Sequence, residues 1–202
     1  MSLAGVVLAG GRSERMGTPK ALLDFRGRPF IIRILEVLEA LELKPRIVVL
    51  GPDAPRVRPV LAPHECIIVK NPEVEAGPIG SLRAALAALK PFLPAGVLAW
   101  PVDLPHVRLA TVERLVEAYR RTGAAAVVPA FATRRGQPVI WDRSLFAELE
   151  ASAAATRHGA LAVLHAEPRL VTVPVDDAAV IDDLNTPEDF ERLVREVNRD
   201  IY

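Results

Sequence analysis

The 202 residues carry 25 lysines and arginines against 25 aspartates and glutamates, so no global basic field exists to hold nucleic acid or an anionic membrane surface. With 50% hydrophobic and 25% charged residues, the chain suits one ordinary globular domain spanning 1–202 with a sizeable core, and no apolar stretch approaches membrane-spanning length. The single cysteine, Cys66, has no second thiol with which to form a disulfide, and the N-terminal residues lack the basic region of a signal peptide; a reducing, cytoplasmic location is expected.

Short β-branched runs at residues 5–9, 46–50, 66–69, 97–100 and 124–128 read as buried strands. Between the first two, Phe30, Ile31, Ile34, Leu35, Leu38 and Leu41 mark one face of a helix that Pro29 would start at its first position. Val112, Leu115, Val116 and Tyr119 repeat that spacing. Residues 137–141 and 170–175 read as two later strands, the first following a polar turn, so a mixed sheet is expected. The alternation predicts a three-layer α/β/α sandwich around a mostly parallel, Rossmann-like sheet. In such sheets ligands bind beyond the carboxyl ends of the strands, which directs attention to the loops there.

The first of these loops contains Gly10, Gly11, Arg12, Ser13, Arg15, Gly17, Thr18, Pro19 and Lys20. It is not a Walker loop, because Lys and Ser or Thr do not follow the last glycine, and it lacks the spacing of a dinucleotide fingerprint. Two adjacent glycines let main-chain N–H groups approach a ligand, and Arg12, Arg15 and Lys20 add three cations. A triphosphate suits such a loop; a glycine turn flanked by solvated charges is the plainer alternative.

The full string from Leu8 and Ala9 through Gly10, Gly11, Arg12, Ser13, Arg15, Met16 and Gly17 to Lys20 strongly resembles the signature of the MobA-like nucleotidyltransferases. The resemblance implies that Leu8, Ala9, Gly10, Gly11, Arg12 and Ser13 surround the nucleotide. It further implies that Arg15 supports the triphosphate and that Lys20 neutralises the α- and β-phosphates. Asn71, Gly77, Gly80 and Ser81 resemble a second glycine-rich segment contacting base and ribose, although Ser81 could instead cap a helix while the glycines shape a turn. Asp103, in Pro101-Val102-Asp103-Leu104-Pro105, matches the family's metal-binding aspartate, and Asn185 matches the residue that joins it on the metal; Asp183 is a weaker candidate. Thr186, Pro187 and Asp189 read independently as a near capping box for a final helix.

Arg135, Gly136, Gln137 and Pro138 resemble an Arg-Gly-His-Pro segment of the molybdenum cofactor cytidylyltransferases, with Gln137 replacing histidine, and are expected to bind the acceptor. His158 reads as a surface residue at a helix start.

The resemblance implies a Mg²⁺-dependent enzyme that transfers CMP or GMP from CTP or GTP to molybdopterin and releases pyrophosphate. Docking to a recipient molybdoenzyme and a monomeric or small homo-oligomeric state accompany that reading, with no nucleic acid or membrane partner. An acceptor phosphate with its second pKa near ~6 is already ionised at neutral pH, so no general base is required. Other phosphorylated acceptors remain open, among them a sugar phosphate, methylerythritol phosphate or a phospholactate, as does a nucleotide-binding role without catalysis.

Overall fold

The computed structural model describes residues 2–13, 16–152 and 159–199. Strand β1 (Leu3–Ala9) is followed by a two-residue hairpin, β2 (Asp24–Phe25) and β3 (Arg28–Pro29), and by helix α1 (Phe30–Ala40). Next come β4 (Arg46–Leu50), α2 (Ala54–Leu61), β5 (Ile67–Lys70), α3 (Pro78–Leu89), β6 (Gly96–Pro101) and α4 (Leu109–Thr122). The C-terminal half holds β7 (Ala126–Phe131), β8 (Arg134–Arg135), β9 (Val139–Asp142), α5 (Phe146–Ala151), α6 (Leu161–Ala166), β10 (Leu170–Pro174) and α7 (Pro187–Arg199).

The main sheet runs β10-β7-β9-β6-β1-β4-β5, with β8 paired to β7. Four of its pairings are parallel, whereas β9 runs antiparallel to both β6 and β7 and β8 antiparallel to β7. The mixed sheet expected from the polar turn before residue 137 is therefore present. Alternate side chains of each central strand enter two cores, as the two-residue strand period requires. Val7, Val48, Leu98 and Trp100 pack with α1, α2, α4 and α7 on one face; Val6, Ile47, Val49 and Val97 pack with α3, α5 and α6 on the other. No described helix is long and apolar enough to cross a membrane.

Two details differ from the sequence reading. Residues 66–69 were expected to be buried, but β5 has only β4 beside it and none of its four residues is buried, as befits an edge strand. Pro29 does not open α1; it ends β3 and occupies the position before the helix with a φ of −56°.

From β1 the chain moves outward through β4 to β5 and then returns to β6 on the opposite side of β1. This reversal leaves a crevice beyond the carboxyl ends of β1 and β6, where Leu8 is paired with Pro101.

Candidate nucleotide and metal site

A cleft of about 580 Å³ fills that crevice. One wall is the loop after β1, with Leu8, Ala9, Gly10, Gly11, Arg12, Ser13 and Lys20; Gly77, Pro78 and Ser81 form the floor, and Asp103 and Asn185 close one end. Main-chain bonds fix the loop to its neighbours: Val102 donates to the Leu8 carbonyl at 3.1 Å and Gly51 to that of Ala9 at 3.3 Å. Gly10 is confined from behind, since a Cβ there would lie 2.2 Å from Ser81 Oγ and 2.9 Å from Asn71 Nδ2. Gly11 faces open space. Of the adjacent pair, the first glycine permits close packing within the protein and the second permits access to a ligand.

The residues expected to handle phosphate and metal meet at the β6 end of the cleft. Lys20 begins a short 3₁₀ turn (Lys20–Leu22), and its main-chain N–H donates to Ser13 Oγ at 3.1 Å. Its ammonium donates to Asn185 Oδ1 at 2.8 Å and lies 3.5 Å from Asp103 Oδ2. Asp103 sits on the turn after β6, where Leu104 donates to the Pro101 carbonyl at 3.3 Å and the Trp100 indole N–H donates to the Leu104 carbonyl at 3.0 Å. Asn185 is brought opposite by Leu184, whose N–H donates to the Asp103 carbonyl at 3.0 Å.

Directly after it, Asp189 accepts from the main-chain N–H groups of Asn185 and Thr186, while its own N–H donates to Thr186 Oγ1. The capping box read from the sequence is thus formed, and it also holds Asn185.

The donor set fits a hard divalent cation. Asp103 Oδ1 is buried without a hydrogen-bond partner, an arrangement costly for a carboxylate unless a further cation or donor serves it. Asn185 supplies an amide oxygen nearby, and the described residues contain no cluster of three His, Cys, Asp or Glu side chains. Mg²⁺ and Mn²⁺ are suited by one or two protein oxygens completed by phosphates and water, whereas zinc demands more protein ligands. Asp183 adds negative charge at this end: although the residue as a whole is exposed, loss of water around its carboxyl and then the charge of Asp103 raise its pKa, against the cations Lys20 and Arg134.

Several expected contributors lie elsewhere. Asn71 is buried and does not line the cleft: its amide N–H₂ donates to the Gly10 carbonyl and to Ser81 Oγ, and its Oδ1 accepts from the Glu73 N–H. It braces the two glycine segments from behind. Ser81 lies within α3 rather than at its cap, a position held by Gly77 at φ 71°. Gly80 is also behind the wall, where a Cβ would meet the Glu73 carbonyl oxygen at 2.3 Å.

None of Arg135, Gly136, Gln137 and Pro138 lines the cleft. Gly136 donates to the Pro129 carbonyl and Gln137 to that of Val180, so the main chain of this segment serves the fold, leaving the exposed Arg134 and Arg135 side chains available. Arg15 and His158 lie outside the described residues.

The wall from the end of β4 was not anticipated. Gly51, Asp53, Ala54 and Val57 line the cleft, as do Val74 and Glu75, the last paired with Arg12 across the mouth. The signal was available, because residues 51–54 follow a strand whose limits the β-branched run gives correctly, and its carboxyl end marks ligand territory.

A nucleotide-sized cleft at the switch point, walled by glycine loops and closed by lysine, aspartate and asparagine, is the build of a nucleotide-transferring α/β enzyme. Residues 5–173 match the model of the MobA-like NTP transferase domain, and the chain belongs to that nucleotidyltransferase family. It is 31% identical to the molybdenum cofactor guanylyltransferase of Xanthomonas euvesicatoria pv. vesicatoria, over 95% of this chain and 94% of that protein. It is 32% identical to the nicotine blue oxidoreductase of Paenarthrobacter nicotinovorans, over 95% and 96% respectively. Among solved structures, Rv0371c from Mycobacterium tuberculosis H37Rv superposes with a TM-score of 0.81 at 29% identity, covering 96% of this chain and 99% of that one; the same protein has been solved as a complex with manganese.

Proposed function

We propose that the protein transfers GMP or CMP from the corresponding NTP to the terminal phosphate of molybdopterin, with release of pyrophosphate. The observation that carries this reading is the convergence of Lys20, Asp103 and Asn185 at one end of the cleft, with one buried Asp103 oxygen still unpartnered. An oxygen of the acceptor phosphate attacks the α-phosphorus in line, forming a new P–O bond. The bond between the α-phosphorus and the bridging oxygen breaks, and that oxygen leaves with the pyrophosphate.

In this reading the N–H groups around Gly11 and the side chains of Arg12 and Ser13 line the path of the nucleotide, with Arg15 assigned to the triphosphate by its place in the motif. Lys20 neutralises charge that accumulates as pyrophosphate departs. Asp103 and Asn185 would hold Mg²⁺ or a similar divalent cation, which supplies Lewis-acid stabilisation of the phosphoryl oxygens when bound. The manganese complex of the mycobacterial protein supports a divalent cation in this fold.

Acceptor binding is assigned to the surface beside the β8 turn, through Arg135 and its neighbours to Pro138, with the exposed side chain of Arg134 beside them. The name of the Xanthomonas relative favours guanine, whereas the resemblance of residues 135–138 favours cytosine. The oxidoreductase name of another full-length relative makes direct assay of the reaction necessary, because a shared fold does not fix chemistry.

The test is divalent-cation-dependent pyrophosphate release from each of the four NTPs, with and without molybdopterin. Release with GTP or CTP only when molybdopterin is present, reduced on the order of 10²–10³-fold by Asp103→Ala and by Lys20→Ala, is expected. Near-normal turnover by Asp103→Ala would remove the metal assignment; NTP binding without release for any acceptor tried would remove the transferase reading.

A further inference from the structure

The Lys20 ammonium approaches one oxygen on each of the two side chains suited to a divalent cation. It donates to Asn185 Oδ1 at 2.8 Å, lies 3.5 Å from Asp103 Oδ2, and is largely shielded from solvent, with 11% of its side chain exposed. A dication on these oxygens at the ~2.1 Å typical of Mg²⁺ would put like charges within a few ångströms in a partly buried setting, where repulsion is weakly screened.

We infer that Lys20 is the built-in counter-ion of the Asp103–Asn185 pair, and that a divalent cation binds there by displacing the Lys20 ammonium toward the phosphates of the nucleotide. The inference rests on the metal site proposed above and adds a competition to it.

The local structure suits a side chain that moves while its backbone stays. The Lys20 N–H is held by Ser13 Oγ, and its carbonyl accepts from Leu23 N at 3.1 Å. The four-carbon stem can therefore redirect a compact point charge about a fixed base. Asp103 is only half served by the lysine, because Oδ1 remains buried and unpartnered, so the carboxylate has more capacity for positive charge than the ammonium on its other oxygen satisfies.

The consequence is mutual dependence. Without nucleotide, the cation has to displace the ammonium from its hydrogen bond to Asn185 and its ion pair with Asp103, with no phosphate to receive it. With nucleotide, the phosphates receive the ammonium as the cation takes its place. Each ligand then tightens the other by the same factor, as linkage requires. Lys20 thereby acts as a coupling residue as well as a charge-neutralising one.

The experiment measures Mn²⁺ binding to the full chain by electron paramagnetic resonance, with no nucleotide and with GTP or CTP, in the wild type, Lys20→Met, Lys20→Arg and Asp103→Asn. Lys20→Gln replaces Lys20→Met if the latter does not fold. The expected result is that Lys20→Met binds Mn²⁺ at least about tenfold more tightly than wild type without nucleotide, that nucleotide tightens this binding far less than in wild type, and that Lys20→Arg keeps weak nucleotide-free binding. Unchanged or weaker Mn²⁺ affinity in Lys20→Met, with binding still lost in Asp103→Asn, overturns the competition and leaves the metal site standing. Mn²⁺ binding that survives Asp103→Asn overturns the metal site and the competition together.

Discussion

Leu184 donates its main-chain N–H to the carbonyl oxygen of Asp103 at 3.0 Å while its side chain is fully buried. This bond joins the turn after β6 to the loop carrying Asn185, so the spacing of the two proposed metal ligands is inherited from the packing of a leucine that touches no ligand. Leu184→Ala should cost about 2–5 kcal/mol of stability through the cavity it leaves and weaken Mn²⁺ binding at temperatures where the variant is still folded. Leu184→Met, which conserves volume, should cost less than about 1.5 kcal/mol and restore most of the affinity. Urea denaturation alongside Mn²⁺ titration checks both; a folded Leu184→Ala with wild-type Mn²⁺ affinity would show that the tether is dispensable.

The glycines of the first loop should respond in opposite ways. Gly10→Ala places a methyl group 2.2 Å from Ser81 Oγ and 2.9 Å from Asn71 Nδ2, so buried partners have to shift, at about 1–3 kcal/mol. Combining it with Ser81→Gly should recover part of that loss, a coupling that a double-mutant cycle measures. Gly11→Ala meets nothing within 4 Å and should leave stability within about 0.5 kcal/mol of wild type while lowering nucleotide affinity, because its methyl group faces the ligand's space. Thermal melts paired with nucleotide titrations separate the two. Equal melting temperatures for the two variants would contradict the assignment of the first glycine to packing.

How much of this was legible in the sequence depended on whether a residue's partner was local. The run Arg46-Ile47-Val48-Val49-Leu50 gives β4 with its observed limits because every residue in it is buried, and an uninterrupted β-branched run has few other uses. Residues 66–69 look the same in composition but form an edge strand, since burial there depends on which strands lie alongside. The loop from Gly10 to Lys20 and the Asp103 turn could be placed near one another by the rule that ligands sit at strand carboxyl ends. Their joining to Asn185, 165 positions from Lys20, came only from family resemblance.

The bracing role of Asn71 was not legible for a physical reason: its partner carbonyl is 61 residues away, and nothing local distinguishes an asparagine that touches a nucleotide from one that braces the wall behind it. Gly136 is similar. Its lack of a side chain answers to Val180, whose carbonyl oxygen would lie 2.1 Å from a Cβ.

Trp100 should affect turnover without touching substrate. Its indole N–H donates to the Leu104 carbonyl at 3.0 Å, closing the turn that presents Asp103. Trp100→Phe keeps most of the ring's bulk and strands that buried acceptor, costing about 1–3 kcal/mol. In the proposed transfer the geometry of Asp103 matters most as charge develops on the departing pyrophosphate, so kcat should fall more than KM rises. Steady-state kinetics at saturating NTP measure the split, and a change confined to KM would count against this positioning role.

Acid should expose the hold that Asp189 has on the site. Its carboxylate accepts from the main-chain N–H groups of Asn185 at 3.0 Å and Thr186 at 2.9 Å, and these bonds lower its pKa despite a small opposing effect of burial. The unfolded chain, with the aspartate near ~3.9, therefore binds this proton more readily than the folded one. Stability from this group is fully present above the unfolded value and is lost as pH falls through the lower folded value. Asp189→Ala should melt below wild type at pH 7, and the gap should close as the pH drops beneath ~3.9. The same variant should bind Mn²⁺ more weakly at pH 7, because the Asn185 main chain loses its acceptor. Melting curves across this range in wild type and variant decide the matter: a gap that persists undiminished in acid would mean that Asp189 contributes through packing or local propensity and not through its charge.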